Sequence, residues 1–253
     1  VNFSFPQTPE RQVFRSSFIA VRLFFLIVSV LSPISLWAQD SVQKPVPDAA
    51  EISTRTYQFQ QGIDGYSGTV DTEIWALAPT TLLDKNGNAS TDANNDGGES
   101  QVVMRFDDII GDKELQVPPG SSIVSAKLVV SAFDQGDTVG LHRMLVPFGR
   151  APTWDSLIAG VSADDIEASR RKDSFTFGKI AASTSLIAFD VTDTVQDWVN
   201  GHPNHGWAFI NAGGNGWDFY AADFEIIKQR PKLVIVIRTE KSSSESAPSG
   251  NSK

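Results

Sequence analysis

Ile123-Val124-Ser125-Ala126-Lys127-Leu128-Val129-Val130-Ser131-Ala132-Phe133 alternates with a period of two. Val124, Ala126, Leu128, Val130 and Ala132 fall on one side, and Ser125, Lys127, Val129, Ser131 and Phe133 on the other. Side chains of a strand point alternately to opposite faces, so this run predicts a strand with one fully apolar face. The same pattern recurs on both sides of it. Gln101–Asp107 alternates Val102, Met104 and Phe106 against Val103, Arg105 and Asp107. Thr56–Gln60, Thr72–Leu77, Val139–Val146, Leu186–Val191, Gly206–Asn211, Trp217–Phe224 and Lys232–Thr239 are further strand candidates. Turn residues such as Val117-Pro118-Pro119-Gly120 punctuate them. One short helix is expected over 192–200, with Thr192 as its N-cap, Val195, Trp198 and Val199 on one face, and Gly201 to end it. A second helical piece is expected over Ala163–Arg171. Many strands and little helix predict an all-β fold, a jelly-roll-like β-sandwich with one short helix.

The two ends read differently. Arg11, Arg15 and Arg22 precede the apolar run Leu23–Leu31, and Pro33 and Ser35-Leu36-Trp37-Ala38 follow it. A basic region, a short apolar core and a small residue before polar sequence predict a signal peptide over 1–38 and a secreted protein. The apolar run falls short of the roughly 20 residues that span a bilayer, so no membrane span is expected after cleavage. Residues 39–51 predict a flexible linker, 52–239 the folded domain, and the Ser-rich 240–253 a disordered tail. Removing 1–38 takes away three arginines and Glu10, leaving 18 of 21 basic and 29 of 30 acidic residues, a formal charge of −11. That excludes nucleic acid as the expected partner, because phosphate backbones are held mainly by Lys and Arg. The chain has no cysteine, so its core alone must hold the fold and thiol chemistry is absent.

Phe59-Gln60-Gln61-Gly62-Ile63-Asp64-Gly65-Tyr66-Ser67-Gly68-Thr69-Val70-Asp71-Thr72 places three glycines between two strand patterns. It predicts a shaped loop that projects Tyr66. Further pieces follow in order: Met104-Arg105-Phe106-Asp107; Pro118-Pro119-Gly120 with Ile123–Leu128; Thr153-Trp154-Asp155; Phe189-Asp190-Val191-Thr192 with Val195–Gly201; Asn204-His205-Gly206-Trp207; and Arg230-Pro231-Lys232-Leu233. In order and spacing these resemble the DNRLRE-domain family, also classified as carbohydrate-binding module family 96 and related to disaggregatase-type modules. The resemblance covers the whole folded part. It implies a β-sandwich of secreted proteins that binds polysaccharide, often attached to an enzyme. An Asp/Asn-rich stretch, 84–99, and a charged one, Asp164–Asp173, depart from the family pattern.

Phe106, Phe189, Trp198 and Leu233 fall on apolar faces and are expected in the core, and Trp154 and Trp207 occupy motif positions of structural type. Sugar binding asks for flat rings that stack on C–H faces beside polar groups that read hydroxyls. Alternation sets Trp75 away from Ile74, and Arg105 and Lys127 away from their apolar neighbours. If those strands are adjacent, Trp75, Arg105 and Lys127 share one outer face. Tyr66, Trp217 and Tyr220 lie near loops and add to it. In the Asp/Asn-rich stretch, Asp92, Asn94, Asp96 and Gly97 copy the first half of a calcium-binding loop, but Val103 stands where its bidentate Glu is needed. Calcium is therefore a candidate ligand on Asp92, Asn94 and Asp96.

No pattern selects a catalytic site. His142, His202 and His205 are the only histidines, and Pro203 breaks any helix that would pair the last two. A G-x-S-x-G motif is absent. Asp64, Asp71, Asp107, Asp218 and Asp223 are available acids, and nothing in the sequence chooses two of them. The expected function is non-catalytic adhesion to extracellular or cell-surface polysaccharide, alone or beside a polysaccharide-degrading enzyme. The alternatives are a structural or assembly role in the cell envelope, and a polysaccharide lyase or hydrolase.

Overall fold

The computed structural model describes residues 52–93, 98–176 and 183–240. The signal peptide, the whole 39–51 linker and all of the tail but Glu240 fall outside them. Eleven strands appear among the described residues: β1 (Ile52–Gln60), β2 (Thr69–Trp75), β3 (Asn88–Thr91), β4 (Ser100–Phe106), β5 (Ile123–Asp134), β6 (Val139–Met144), β7 (Ala168–Thr176), β8 (Ser185–Asp190), β9 (Trp207–Asn211), β10 (Trp217–Tyr220) and β11 (Lys232–Glu240). Among the same residues a single α-helix, α1 (Thr192–Val199), lies between β8 and β9.

The strands form two antiparallel sheets. One has the order β1-β11-β5-β10-β3, with β8 on the free edge of β5; the other has the order β2-β4-β9-β6-β7. The predicted strand around Leu128 is the hub of the first sheet. Leu128 pairs with Leu233 of β11 and with Phe189 of β8, so those strands flank β5 on opposite edges. Most consecutive strands change sheet, as in a jelly roll. The all-β sandwich expected from the alternation is the fold observed.

Between the sheets lies the core that the period-two pattern predicts. Leu128, Val130, Phe189, Trp217, Phe219, Leu233 and Ile235 face Val102, Met104, Phe106, Leu141, Trp207 and Phe209, all fully buried. The helix contributes Val195, Trp198 and Val199. A second, smaller core covers the other face of the β2–β4–β9–β6 sheet. There Val70, Ile74, Val103 and Ala208 are roofed by Phe148, Leu157 and Val161 from the segment between β6 and β7. That sheet is therefore buried on both faces, which explains why Val102, Val103 and Met104 are apolar in succession.

Three local expectations differ from the structure. The Ala163–Arg171 piece is not helical: Ala168–Thr176 is strand β7, paired with β6 through two register shifts. Its charges, Arg170, Arg171 and Lys172, are those of an edge strand, and they hide the alternation. Thr192 is not the N-cap but the first helical residue; Val191 precedes it, and Asp190 Oδ1 accepts from Thr192 N at 3.0 Å and from its hydroxyl at 2.7 Å. The 217–224 strand stops at Tyr220, where Phe224 N–H closes a turn on Ala221 O at 3.1 Å.

Gly206 is the tightest junction of the motif Asn204-His205-Gly206-Trp207. Its φ is +74°, and an added Cβ would lie 2.1 Å from Met104 O. The close approach lets β9 enter between β4 and β6. Gly206→Ala is therefore expected to lower the unfolding free energy by about 2 kcal/mol or more, from left-handed strain plus the clash. Urea unfolding checks this, and an unchanged midpoint contradicts it.

Candidate functional site

The alternation of β10 sorts its side chains cleanly. Trp217 and Phe219 point into the core, and Asp218 and Tyr220 point out. On the neighbouring β5, Phe133 also points out. Tyr220 packs on Phe133 with ring centroids 4.6 Å apart, and Phe224, carried by the turn after β10, stacks on Tyr220 at 3.9 Å. All three rings are half-buried, so they form an accessible aromatic platform on the outer face of the sheet. Its rim is polar. Asn88 pairs across from Tyr220, and Ser90 and Asp134 flank Asp218. Burial raises the Asp218 carboxyl above the usual carboxylate range, and the Asp134 and Asp92 charges raise it further. Like charges directly opposite each other cost stability, so the Asp134–Asp218 pair is not explained by the fold.

The turn after β10 also builds a cleft. Ala221 N donates to Gly87 O at 3.0 Å, and Gly87 N donates to both Asp223 carboxylate oxygens at 3.1 and 3.2 Å. This locks the turn before β3 to the turn after β10. One residue earlier, Ala222 N donates to Asp71 Oδ2 at 2.8 Å. Asp71 lies on β2, the edge of the opposite sheet, so its carboxyl bridges the two sheets. Glu73 does the same two residues along, accepting from Ser90 N at 3.0 Å. Gln61, Thr69, Asp71, Asp84, Arg150, Asp223 and Arg230 line a cleft of about 440 Å³. Desolvation lifts the Asp71 carboxyl to about 7, and the Asp223 charge adds to this; the Ala222 N–H opposes it.

A larger cleft, about 860 Å³, lies beside the first turn of α1. Its charges are engaged in a network. Arg143 donates to Asp197 at 2.6 Å and to Thr194 Oγ1 at 2.8 Å, Asp173 accepts from Trp207 Nε1 at 2.9 Å, and Thr194 Oγ1 donates to Asp173. These bonds fasten α1 to β6, β7 and β9, and the cleft carries no aromatic side chain.

The residues expected to share a face do not. β2 and β4 are neighbours, but their register sets Trp75 opposite Ser100 and Arg105 opposite Val70. Opposed residues share a face, so Trp75 and Arg105 lie on opposite faces of that sheet. Trp75 is 37% exposed and donates its Nε1–H to Gly98 O at 3.2 Å. Arg105 is held by Asp107 at 2.5 Å and by Phe148 O at 2.8 Å, over the Phe148 ring, beneath the smaller core. Lys127 is exposed on the other sheet, opposite Asp190 and Val234. Tyr66 is not projected. It packs edge-on against Phe59 and donates to Asp107 O at 2.9 Å, and burial raises its hydroxyl well above the usual tyrosine value. Trp217 is fully buried against Phe189 and Phe219. Of the six expected binding residues, Tyr220 alone stands in the platform. Phe133 and Phe224 escaped notice because each sits at the end of an alternating run, where only the cross-strand register brings them together.

Of the calcium candidates, Asn94 and Asp96 lie outside the described residues. Asp92 Oδ1 accepts from Ala93 N at 2.9 Å, and the Asp92 backbone pairs with Ser100. Among the described residues no group of three His, Asp or Glu side chains is placed to hold a metal ion. Among them, too, no helix is long and apolar enough to cross a membrane.

No family model matches the chain, and no curated protein matches it significantly. The likeness to the DNRLRE-domain family thus rests on the motifs quoted above.

The Asp71 carboxyl makes stability depend on pH in a defined direction. Its proton is held more tightly in the folded state, about 7 against 3.8 unfolded. The folded state therefore binds more protons than the unfolded one across that window, and stability falls as pH rises from about 4 to about 7. Above that the penalty is constant. Asn at this position keeps the acceptor for Ala222 N and removes the charge. Asp71→Asn is expected to be more stable than the parent at pH 8, by on the order of a few kcal/mol, and to match it more closely at pH 4. Urea unfolding at both pH values measures this, and a variant destabilised at pH 8 contradicts it.

Proposed function

We propose that this chain is a secreted, non-catalytic carbohydrate-binding module of the DNRLRE type, which adheres to extracellular or cell-surface polysaccharide. The observation that carries the reading is the Phe133–Tyr220–Phe224 platform. Three rings in contact at 4.6 and 3.9 Å on the solvent side of a sheet serve no core. Such a surface suits the flat C–H faces of successive sugars, and Asn88, Ser90, Asp134 and Asp218 at its rim suit their hydroxyls. The β-sandwich fold agrees with the resemblance seen in the sequence. The strongly acidic composition favours neutral over anionic glycans.

The test is affinity electrophoresis of residues 39–253 on neutral and acidic polysaccharides, with calcium and with chelator. The protein is expected to be retarded on one or more glycans. Tyr220→Ala and Phe224→Ala are each expected to weaken binding about fivefold, the effect of losing one stacked ring. Arg105→Ala is expected to act on stability instead, because its guanidinium is spent inside the fold. A well-folded protein that no glycan retards contradicts the reading and favours the envelope-assembly alternative. Turnover of a retained glycan would favour the lyase or hydrolase alternative.

A further inference from the structure

Asp71 presents a physical problem. It is 6% exposed, and desolvation of its carboxyl outweighs the opposing charge of Arg230. A buried carboxyl served by backbone donors alone lowers stability, and an amide or hydroxyl at this position would also accept from Ala222 N. A costly group in a cleft is a candidate functional position.

The cleft around it is built by four separate connections. Gln61 comes from the segment between β1 and β2, Asp84 from that between β2 and β3, Arg150 from that between β6 and β7, and Asp223 and Arg230 from that between β10 and β11. Several loops converging on a rigid sandwich is the usual way a recognition site is assembled. The groups are also held in place. Arg230 donates to Phe224 O at 2.6 Å and to Gln61 O at 3.1 Å, which fixes its guanidinium plane. Asp223 is clamped by Gly87 N. Arg150 is solvent-facing by contrast, with a side chain 74% exposed and Asp107 4.0 Å away.

Charge decides the class of ligand. With Asp71 protonated, Asp84 and Asp223 balance Arg150 and Arg230. A lining that is strongly polar yet neutral has no net attraction for a cation or an anion. It offers acceptors (Asp84, Asp223), donors (Arg150, Arg230) and, in Asp71, a donating carboxyl. Vicinal hydroxyls, each both donor and acceptor, satisfy such a set. Asp223 and Phe224 are consecutive, so the turn 221–224 contributes to both the cleft and the aromatic platform.

We propose that the Asp71 cleft is a second subsite that takes a single neutral sugar unit of the glycan stacked on Tyr220 and Phe224. This inference rests on the carbohydrate-binding reading. Cleft and platform then act as one extended site, with stacking for affinity and the cleft for sugar identity. Binding through the cleft weakens as pH rises through about 7, where Asp71 changes from donor to anion beside Asp84 and Asp223 and the balancing Arg150 and Arg230 no longer suffice.

Isothermal titration with cellohexaose, laminarihexaose and mannohexaose, and with hexagalacturonate as the anionic comparison, tests this at pH 6 and pH 8.5. For the neutral probe that the parent binds, Arg150→Ala and Asp84→Asn are expected to weaken binding about tenfold with melting temperature unchanged, as loss of a charge-assisted hydrogen bond implies. The parent is expected to weaken between pH 6 and pH 8.5, and Asp71→Asn is expected to lose that dependence. If both cleft variants bind like the parent while Tyr220→Ala does not, the cleft inference fails and the module reading stands. Preference for hexagalacturonate overturns the neutral-sugar assignment. If the parent binds none of the probes nor any polysaccharide, both readings fail together.

Discussion

The contact on which the rest depends is the aromatic layer between the sheets. Phe189, Phe209, Trp217 and Phe219 meet at 5.1 to 6.1 Å, mostly edge-on or tilted, and join β8 and β10 to β9. A chain without cysteine has no covalent substitute for this packing. Each such ring buries a large apolar area, and the geometry adds about 0.5–1.5 kcal/mol per pair beyond burial. Fixing Trp217 and Phe219 inward leaves one outcome for their neighbours. Asp218 and Tyr220 must point outward, because a one-residue slip would expose the whole layer. The platform is thus a by-product of the core.

The second constraint is the double burial of the β2–β4–β9–β6 sheet. Its outer face is roofed by Phe148, Leu157 and Val161. Arg105 shows the effect. In an ordinary antiparallel sheet its position would face water. Here it lies under the roof, and only a close pair with Asp107 and a bond to Phe148 O makes a buried guanidinium tolerable. The half-buried Phe133, Tyr220 and Phe224 rings lie on the other sheet.

The edge between the two sheets carries a different kind of bond. Asp71 and Glu73 reach from β2 to the backbone of Ala222 and Ser90, and burial raises both carboxyls. Inter-sheet closure thus uses groups that hold protons more tightly than usual. This links the shape of the cleft to pH, a property that the apolar core does not have.

The period-two pattern by itself determined the fold class, most of the strands, the short helix and the core membership of Phe106, Phe189, Trp198 and Leu233. Alternation is local, and hydrophobic burial enforces it strand by strand. It failed at β7, where edge charges mask it, and at β3, which lies inside an Asp/Asn-rich stretch. The site was another matter. Alternation says which residues of one strand share a face, but not which strands adjoin or in what register. Trp75 and Arg105 were separated by register, Lys127 by its sheet, and Trp217 by its depth. Tyr220 found Phe133 and Phe224 only through the pairing of β10 with β5 and the turn that follows. Asp71 and Asp223 are 152 positions apart in sequence, and only the meeting of two sheet edges joins them in one cleft.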